Sequence, residues 1–467
     1  MIEERDTVVI GAGPGGYVAA LRLGQLKKDV LLVDKFGAAG LGGVCLHDGC
    51  IPSKAFLTAA QIGYGFLHAR DLGWVSEKTT VDFKKMQDWK QQVVDKLDFG
   101  IQNLCKKNNV EIMQGKAWFE GPNKLRIESE HEAREIIFRH CIIDAGTVPN
   151  EMPGLAVDNQ TVLDSTGALA LTELPKELVV IGAGTIAIEM ATFFAKMGST
   201  VSIVQRSPRI LNALEEDIAS VISAKLEKSG VHIFTNASVE KTEVKKNDVK
   251  MELVVDGKKM ELRCDKVLVA LGRKPNTAPL HLENTKILLD ESGFVRINDF
   301  CQTSEPAIFA VGDITGPPLL AHRASAMGKV AAEVIAGENA AFDNLAIPNV
   351  VYCDPEIATV GLNQKQAAEK KMDVLVGQFP FSALGRALAS REPEGFVRVV
   401  AEKNSHVIVG FQMVGSRVSE LIGTAAMAIE FGCQLEDVSS TIFPHPTFSE
   451  AILEACEDAL KKSVHKF

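Results

Sequence analysis

The stretch Val8-Val9-Ile10-Gly11-Ala12-Gly13-Pro14-Gly15-Gly16 decides how this chain is read. Three β-branched residues predict a buried strand, and the glycines predict a tight turn. The following Tyr17-Val18-Ala19-Ala20-Leu21-Arg22-Leu23 carries a helical pattern, and Val30-Leu31-Leu32-Val33 predicts a second strand. The same order returns at Val179-Val180-Ile181-Gly182-Ala183-Gly184-Thr185-Ile186-Ala187, with its helix from Ile188 and its second strand at Val201-Ser202-Ile203-Val204. Strand, glycine turn, helix and strand form the context in which a dinucleotide fingerprint has meaning. Gly11 and Gly182 make the turns, Gly13 and Gly184 let the backbone approach a pyrophosphate, and Gly16 and Ala187 let helix pack on strand. The phosphates then sit at a helix N-terminus, where free N–H groups and the helix dipole favour anions. A single glycine turn is often only structural, but two copies in this context favour nucleotide binding. The expected fold is α/β, with two Rossmann-like dinucleotide-binding domains.

The copies differ where a ribose would sit. Asp34 follows Gly11 by 23 positions and offers an acceptor for a ribose 2′-hydroxyl. At the same offset from Gly182 stands Gln205, followed by Arg206, with Arg209 nearby. An amide beside an arginine no longer repels a 2′-phosphate and is able to bind one. The second site is therefore expected to accept NADP, with a possible preference over NAD. The alternative is that Arg206 is a solvated surface charge.

Composition bounds the rest. A chain of 467 residues suggests about three domains and is long enough to bury large cores without a disulfide framework. Hydrophobic residues make up 46% and charged residues 24%, and no apolar run is long enough for a membrane span. The net charge of −10 argues against a nucleic-acid binder. The N-terminus lacks the pattern of a signal peptide, so a cytoplasmic protein is expected, although a processed organellar chain would look the same. Nine cysteines, seven of them scattered singly, fit a reducing compartment better than a secreted scaffold.

Only Cys45 and Cys50 are close, within Gly42-Gly43-Val44-Cys45-Leu46-His47-Asp48-Gly49-Cys50-Ile51-Pro52-Ser53-Lys54. In an ideal helix their Cα atoms would be ~8–9 Å apart. A disulfide needs about 4.4–6.8 Å. A bridge would require a break in the helix, which Gly49 permits, and a strained bridge is readily reduced. The spacing does not match structural zinc pairs, and no metal site is expected. Two unrelated buried thiols remain the alternative.

This segment resembles the redox-active disulfide of the flavoprotein disulfide reductases, the class I pyridine nucleotide-disulfide oxidoreductases. Cys50-Ile51-Pro52-Ser53-Lys54 is most similar to their dihydrolipoamide dehydrogenase branch. The resemblance covers essentially the whole chain. Val267 to Thr277 is similar to the segment leaving the nicotinamide domain, Ala310-Val311-Gly312-Asp313 to the second flavin motif, and Pro444 to Ala451 to the C-terminal active-site motif.

The resemblance implies FAD and NAD(P) as cofactors and a homodimer. It makes Cys45 the interchange thiol and Cys50 the thiolate against the flavin. Lys54 and Glu189 would pair near the reactive flavin nitrogen. His445, held by Glu450 and supplied by the other subunit, would be the acid–base catalyst. Gly146, Asp313 and Ala321 would join Gly11, Gly13, Gly16, Asp34 and Lys54 in binding FAD. Gly272 would join Gly182, Gly184, Ala187, Gln205 and Arg206 at the nicotinamide dinucleotide. Independently, thiol–disulfide exchange needs a thiolate and a proton carrier, and imidazole titrates in the right range.

Several positions depart from the family pattern. Val44 replaces a threonine, and His47-Asp48 replaces Asn-Val; that polar pair is expected to face solvent without a catalytic role. Asp144-Ala145-Gly146-Thr147 replaces Ala-Thr-Gly, Ala187 replaces a third glycine, and Phe443-Pro444 replaces His-Ala before His445.

The expected division is residues 1–150 for the first flavin segment, 151–276 for the nicotinamide domain, 277–346 for the second flavin segment and 347–467 for an α+β dimerisation domain. In the last part a helix is expected from Ser416 to Phe431. The resemblance implies oxidation of dihydrolipoamide carried on a lipoyl domain of a 2-oxoacid dehydrogenase complex. The nearest rival is a reductase of a glutathione-like disulfide. A mercuric-ion reductase is disfavoured because Cys456 has no cysteine neighbour, and a non-catalytic flavoprotein is disfavoured by intact Cys45, Cys50 and His445.

Overall fold

Strand Ile2–Ile10 pairs in parallel with Val30–Asp34 on one side and Ala133–Ile143 on the other. Glu111–Gln114 extends the first side in parallel. On the other, Ile308–Ala310 pairs in parallel with Ala133–Ile143, which also leads antiparallel to Lys124–Glu128 and then Lys116–Gly121. Alternate residues serve opposite layers. Val8, Ile10, Leu31, Val33, Ile143 and Ala310 enter one core, while Val9, Leu32, Ile142 and Phe309 join Ala19, Leu23, Met327 and Ala331 in another. Burial on both faces explains why these strands read as unbroken apolar runs.

The register puts Ile10 opposite Val33 and Ile143, and Ile143 opposite Ala310. The turns after these strands therefore share one carboxyl edge of the sheet, the place where open α/β sheets bind ligands. Helices Pro14–Gln25 and Ala321–Ala336 cross closely over this layer. A Cβ on Gly328 would lie 2.3 Å from the Gly15 carbonyl oxygen, and Arg22 pairs with Glu333 at 2.8 Å.

The computed structural model describes residues 2–75, 80–130 and 132–466. The chain divides into two compact units, 1–174 with 269–343 and 175–268 with 344–467. The first holds the sheet just described. The second holds the repeat copy, in which Glu177–Ile181, Thr200–Val204 and His232–Phe234 pair in parallel. A three-stranded antiparallel meander follows, from Ala237–Lys245 through Asp248–Val255 to Lys258–Cys264.

The C-terminal part of this unit is a five-stranded antiparallel sheet in the order Asn349–Val351, Glu356–Gly361, Ile408–Gly415, Phe396–Glu402, Val374–Pro380. Helices Val418–Glu430 and Glu450–Ala459 share its core. The first of these begins two residues later than the sequence pattern suggests, because Arg417 has φ 60° and cannot extend a right-handed helix. Arg398 fastens this sheet to the repeat copy. Its side chain is 8% exposed, donates to Glu215 at 2.9 Å and pairs with Asp217. Among the described residues, no helix is long and apolar enough to cross a membrane.

Candidate active site

The first glycine turn is built by close approach. Gly11 has φ +94°, and a Cβ there would meet the Asp144 carbonyl oxygen at 2.2 Å. Gly13 is the N-cap of helix Pro14–Gln25, and Pro14 occupies its first turn, where a missing N–H costs nothing. Gly42 donates its N–H to the Ala12 carbonyl at 2.8 Å, and a Cβ on Gly43 would lie 2.7 Å from the Gly13 Cα. The segment carrying the two close cysteines is thus seated on the turn that would receive a pyrophosphate.

Within that segment the helix breaks. Cys45 lies in helix Gly43–His47, and Cys50 opens helix Cys50–Leu67 with Gly49 as its N-cap. Gly49 has φ −144° and ψ −111°, and a Cβ on it would crowd the Val44 carbonyl oxygen at 2.8 Å. The departure from helix required to bring the cysteines together is present. The Cys45 thiol donates to Cys50.

That hydrogen bond, followed by burial, pushes the Cys45 thiol far above its ordinary range, and the Lys54 ammonium pulls the other way. Two thiols held this close titrate as a pair. Cys50 stands at a helix N-terminus, where the dipole favours a thiolate, one turn before Lys54. His47 and Asp48 are half-buried, not solvent-facing. The His47 Nε2 lies 2.8 Å from the Leu41 carbonyl oxygen. Asp48 acts on Lys90, a lysine 9% exposed on helix Phe83–Lys107 and 5.6 Å from the Phe56 ring centre. Burial lowers the Lys90 pKa, and the Asp48 charge opposes this. A lone lysine on a long helix gave no sequence signal for that placement.

Three carboxylates face the carboxyl edge. Asp34 accepts from the Ala12 N–H at 3.1 Å and from the Phe36 N–H at 2.9 Å, and its oxygens keep lone pairs for a ribose hydroxyl. Asp313 lies in the turn Gly312–Thr315; the Thr147 hydroxyl donates to its Oδ2 at 3.4 Å. Burial raises the Asp313 pKa, and the Arg273 charge acts against that rise. Arg273 donates to the Thr147 hydroxyl and carbonyl oxygens, both at 2.7 Å. Arg273 was part of a recognised segment, but its contact with Thr147 spans 126 positions and left no local trace. Gly146 has φ +64° with nothing within 4 Å of a Cβ built on it, so its backbone is open to a ligand, and Ala321 begins helix Ala321–Ala336. These groups fit the ribose and ribityl portions of a flavin dinucleotide. Asp144, the third carboxylate, lies in the pyrophosphate turn itself.

In the second unit Gly182 has φ +105°, Gly184 is the N-cap of helix Thr185–Lys196, and Ala187 is fully buried. A Cβ on Gly184 would meet nothing within 4 Å, which leaves the backbone approachable. Gln205 is bound through its backbone to Phe234 and Ala237, and Arg206 is exposed. Arg209 is committed to the Asn212 and Leu214 carbonyl oxygens. Glu189 is 5% exposed, and its Oε1 accepts from the Tyr352 N–H at 3.0 Å. Lys54 belongs to the first unit. Gly272, with φ +91°, also lies there, its carbonyl accepting from the Asn150 N–H at 3.0 Å.

His445 and Glu450 meet as the resemblance implies. The His445 Nδ1 is 2.8 Å from Glu450 Oε1, and Glu450 Oε2 accepts from the Thr447 N–H at 2.7 Å. The ring is 77% exposed while its carboxylate is 21% exposed. With Nδ1 donating, the exposed Nε2 is left as the proton acceptor.

Comparison with known proteins agrees with this architecture. Residues 5–328 match the family model for pyridine nucleotide-disulphide oxidoreductases, and residues 347–456 match the dimerisation domain of that family. The chain is 44% identical to the dihydrolipoyl dehydrogenase of Geobacillus stearothermophilus, over 99% of this chain and 97% of that one. It is also 44% identical to the dihydrolipoyl dehydrogenase of Halobacterium salinarum, over 98% and 97% of the two chains. The HOCl-induced flavoprotein disulfide reductase RclA from Escherichia coli superposes with a TM-score of 0.86 at 28% identity, covering 97% of this chain and 99% of that one. The mixed α/β fold with a C-terminal dimerisation domain is the one expected from the sequence, and the chain belongs to the pyridine nucleotide-disulphide oxidoreductase family.

Proposed function

We propose that this chain oxidises protein-bound dihydrolipoamide with NAD(P)⁺, as a dihydrolipoyl dehydrogenase. The observation that carries the reading is the Cys45–Cys50 pair, brought together by the Gly49 break and seated on the first glycine turn. Bound FAD supplies the two-electron relay between the dithiol and the nicotinamide. In the oxidised enzyme a substrate thiolate attacks the Cys45 sulfur, and Cys50 leaves as a thiolate. The second substrate thiolate then displaces Cys45, so the substrate disulfide forms as the protein disulfide breaks. Two electrons pass from substrate to the cysteine pair. The Nε2 of His445, supplied by the other subunit and oriented by Glu450, takes the proton released from substrate. The helix N-terminus and Lys54 favour the Cys50 thiolate.

The finer assignments follow from the same reading. The flavin domain comprises 1–150 and 277–346, the nicotinamide domain 151–276 and the dimerisation domain 347–467. The physiological donor is a lipoyl domain of a 2-oxoacid dehydrogenase complex, and the setting is the cytoplasm. Exposed Arg206 beside Gln205 supports NADP as an alternative to NAD.

Steady-state kinetics with dihydrolipoamide and reduced glutathione, each against NAD⁺ and NADP⁺, test the reading. Turnover is expected with dihydrolipoamide and not with glutathione; the reverse would favour the rival reductase. A kcat/KM for NADP⁺ at least equal to that for NAD⁺ is expected. A strong NAD⁺ preference would return Arg206 to an ordinary surface charge.

A further inference from the structure

The first glycine turn holds a carboxylate of its own. Asp144 ends the strand Ala133–Ile143, is 7% exposed, and is pinned by its N–H donating to the Ile10 carbonyl at 2.7 Å. Its Oδ2 accepts from the Gly16 N–H at 2.6 Å, and the Gly15 N–H also bonds to it. Pro14 has no N–H, so Gly15 and Gly16 are the first two donors of helix Pro14–Gln25. They are the donors that a pyrophosphate at a helix N-terminus uses. The turn is tight around the carboxyl. A Cβ on Gly13 would lie 2.7 Å from Oδ2, and one on Gly312 would lie 2.6 Å from Oδ1.

Among the described residues of the surrounding elements, no compensating cation is paired with it. The charged side chains that bear on it are Asp313, in the turn Gly312–Thr315, and Asp34, at the end of its strand, both negative. Helix Ala321–Ala336 presents Ala324 to this pocket, and its Arg323 is committed to the Gly316 carbonyl and the Thr315 hydroxyl. On helix Pro14–Gln25, Arg22 is paired with Glu333, and Tyr17 interacts with Cys45 of the redox segment.

We propose that Asp144 competes with the flavin pyrophosphate for the N–H donors of the first glycine turn, so that flavin binds with Asp144 protonated and its affinity falls as pH rises. The inference rests on the reading of this turn as the flavin site. Two anions cannot share these donors in a buried turn without mutual repulsion. A protonated carboxyl instead offers an O–H to a phosphate oxygen, which converts the competitor into a ligand. Burial already favours that neutral form. Where Asp144 is ionised in the flavin-free protein, the proton comes from solvent on binding and returns to it on release. Asp144 is thus a binding determinant that the family pattern, with alanine at this position, does not supply.

The test uses the full chain freed of flavin, titrated with FAD by flavin fluorescence from about pH 6 to about pH 9. Over the upper part of that range the wild-type dissociation constant is expected to rise toward about tenfold per pH unit. Asp144→Asn, which keeps the acceptor for Gly16, and Asp144→Ala are both expected to bind more tightly at high pH with that slope removed. Calorimetry of the wild type in buffers of different ionisation enthalpy needs no variant and should show uptake rising toward about one proton per flavin at the upper end of that range. An unchanged slope in the variants, weaker high-pH binding by both, or no proton uptake at the upper end of the range overturns the proposal while leaving the flavin site intact. Failure of all three proteins to bind FAD at any pH overturns the flavin reading and this proposal with it.

Discussion

At the residue scale the His445–Glu450 pair is held by geometry that is easy to remove. Glu450 uses one oxygen to orient the His445 ring and the other to hold the Thr447 N–H, so the carboxylate is fixed before it fixes the imidazole. Glu450→Ala is expected to lower the rate of dithiol oxidation by about 10²-fold, the lower end of what general acid–base groups contribute. Rapid-mixing measurement of the two half-reactions checks this. Oxidation of the reduced enzyme by NAD⁺ should be unchanged, and equal slowing of both halves would mean that Glu450 serves structure alone. The pair was legible through the likeness of Pro444 to Ala451 to the family's C-terminal motif, since a histidine and a glutamate five positions apart read by themselves as structural. Asp144 was visible only as a departure from pattern. Its contact with Gly16 spans 128 positions, and nothing local to either residue announces it.

At the element scale the redox segment depends on backbone approach that only glycine permits. Gly43 has φ +57°, where an L-residue costs about 1–2 kcal/mol, and a Cβ there would press on the Gly13 Cα. Gly43→Ala is expected to lower thermal stability and to weaken flavin retention together, since the segment is lifted from the first turn. Gly63, inside helix Cys50–Leu67 with nothing within 4 Å of a Cβ, is the control. Gly63→Ala should stabilise by about 0.5–1 kcal/mol and leave flavin retention alone. Thermal melts with flavin-release fluorescence read both effects, and intact retention in Gly43→Ala would contradict the docking described above. The break between Cys45 and Cys50 was legible because spacing demanded it and Gly49 allowed it. The closeness of Gly43 to Gly13 was not, because glycines in loops have many uses and sequence does not choose among them. His47 and Asp48 illustrate the same limit. Their polarity suggested solvent, yet the Leu41 carbonyl and buried Lys90 absorb them.

At the scale of the whole molecule, the repeated strand–turn–helix–strand pattern was the strongest signal, since each copy lies within about 30 residues. The first compact unit is discontinuous, with residues 269–343 returning to 1–174. Strand Ile308–Ala310 completes the sheet beside Ala133–Ile143 and places Gly312 and Asp313 at the edge carrying Gly11 and Asp34. Such a return is read from motif likeness, because no periodicity in a short strand names its neighbour. Arg398 is a further case, its links to Glu215 and Asp217 spanning more than 180 positions. The proposed activity requires an electron path from a dithiol to a nicotinamide, entered at Cys45. The most direct measurement is anaerobic reduction of the flavin-loaded protein, followed by visible absorption, first with dihydrolipoamide and then with reduced glutathione. A long-wavelength thiolate–flavin band should appear with dihydrolipoamide, be absent with glutathione, and be lost in Cys50→Ser. No such band with any dithiol would contradict the account.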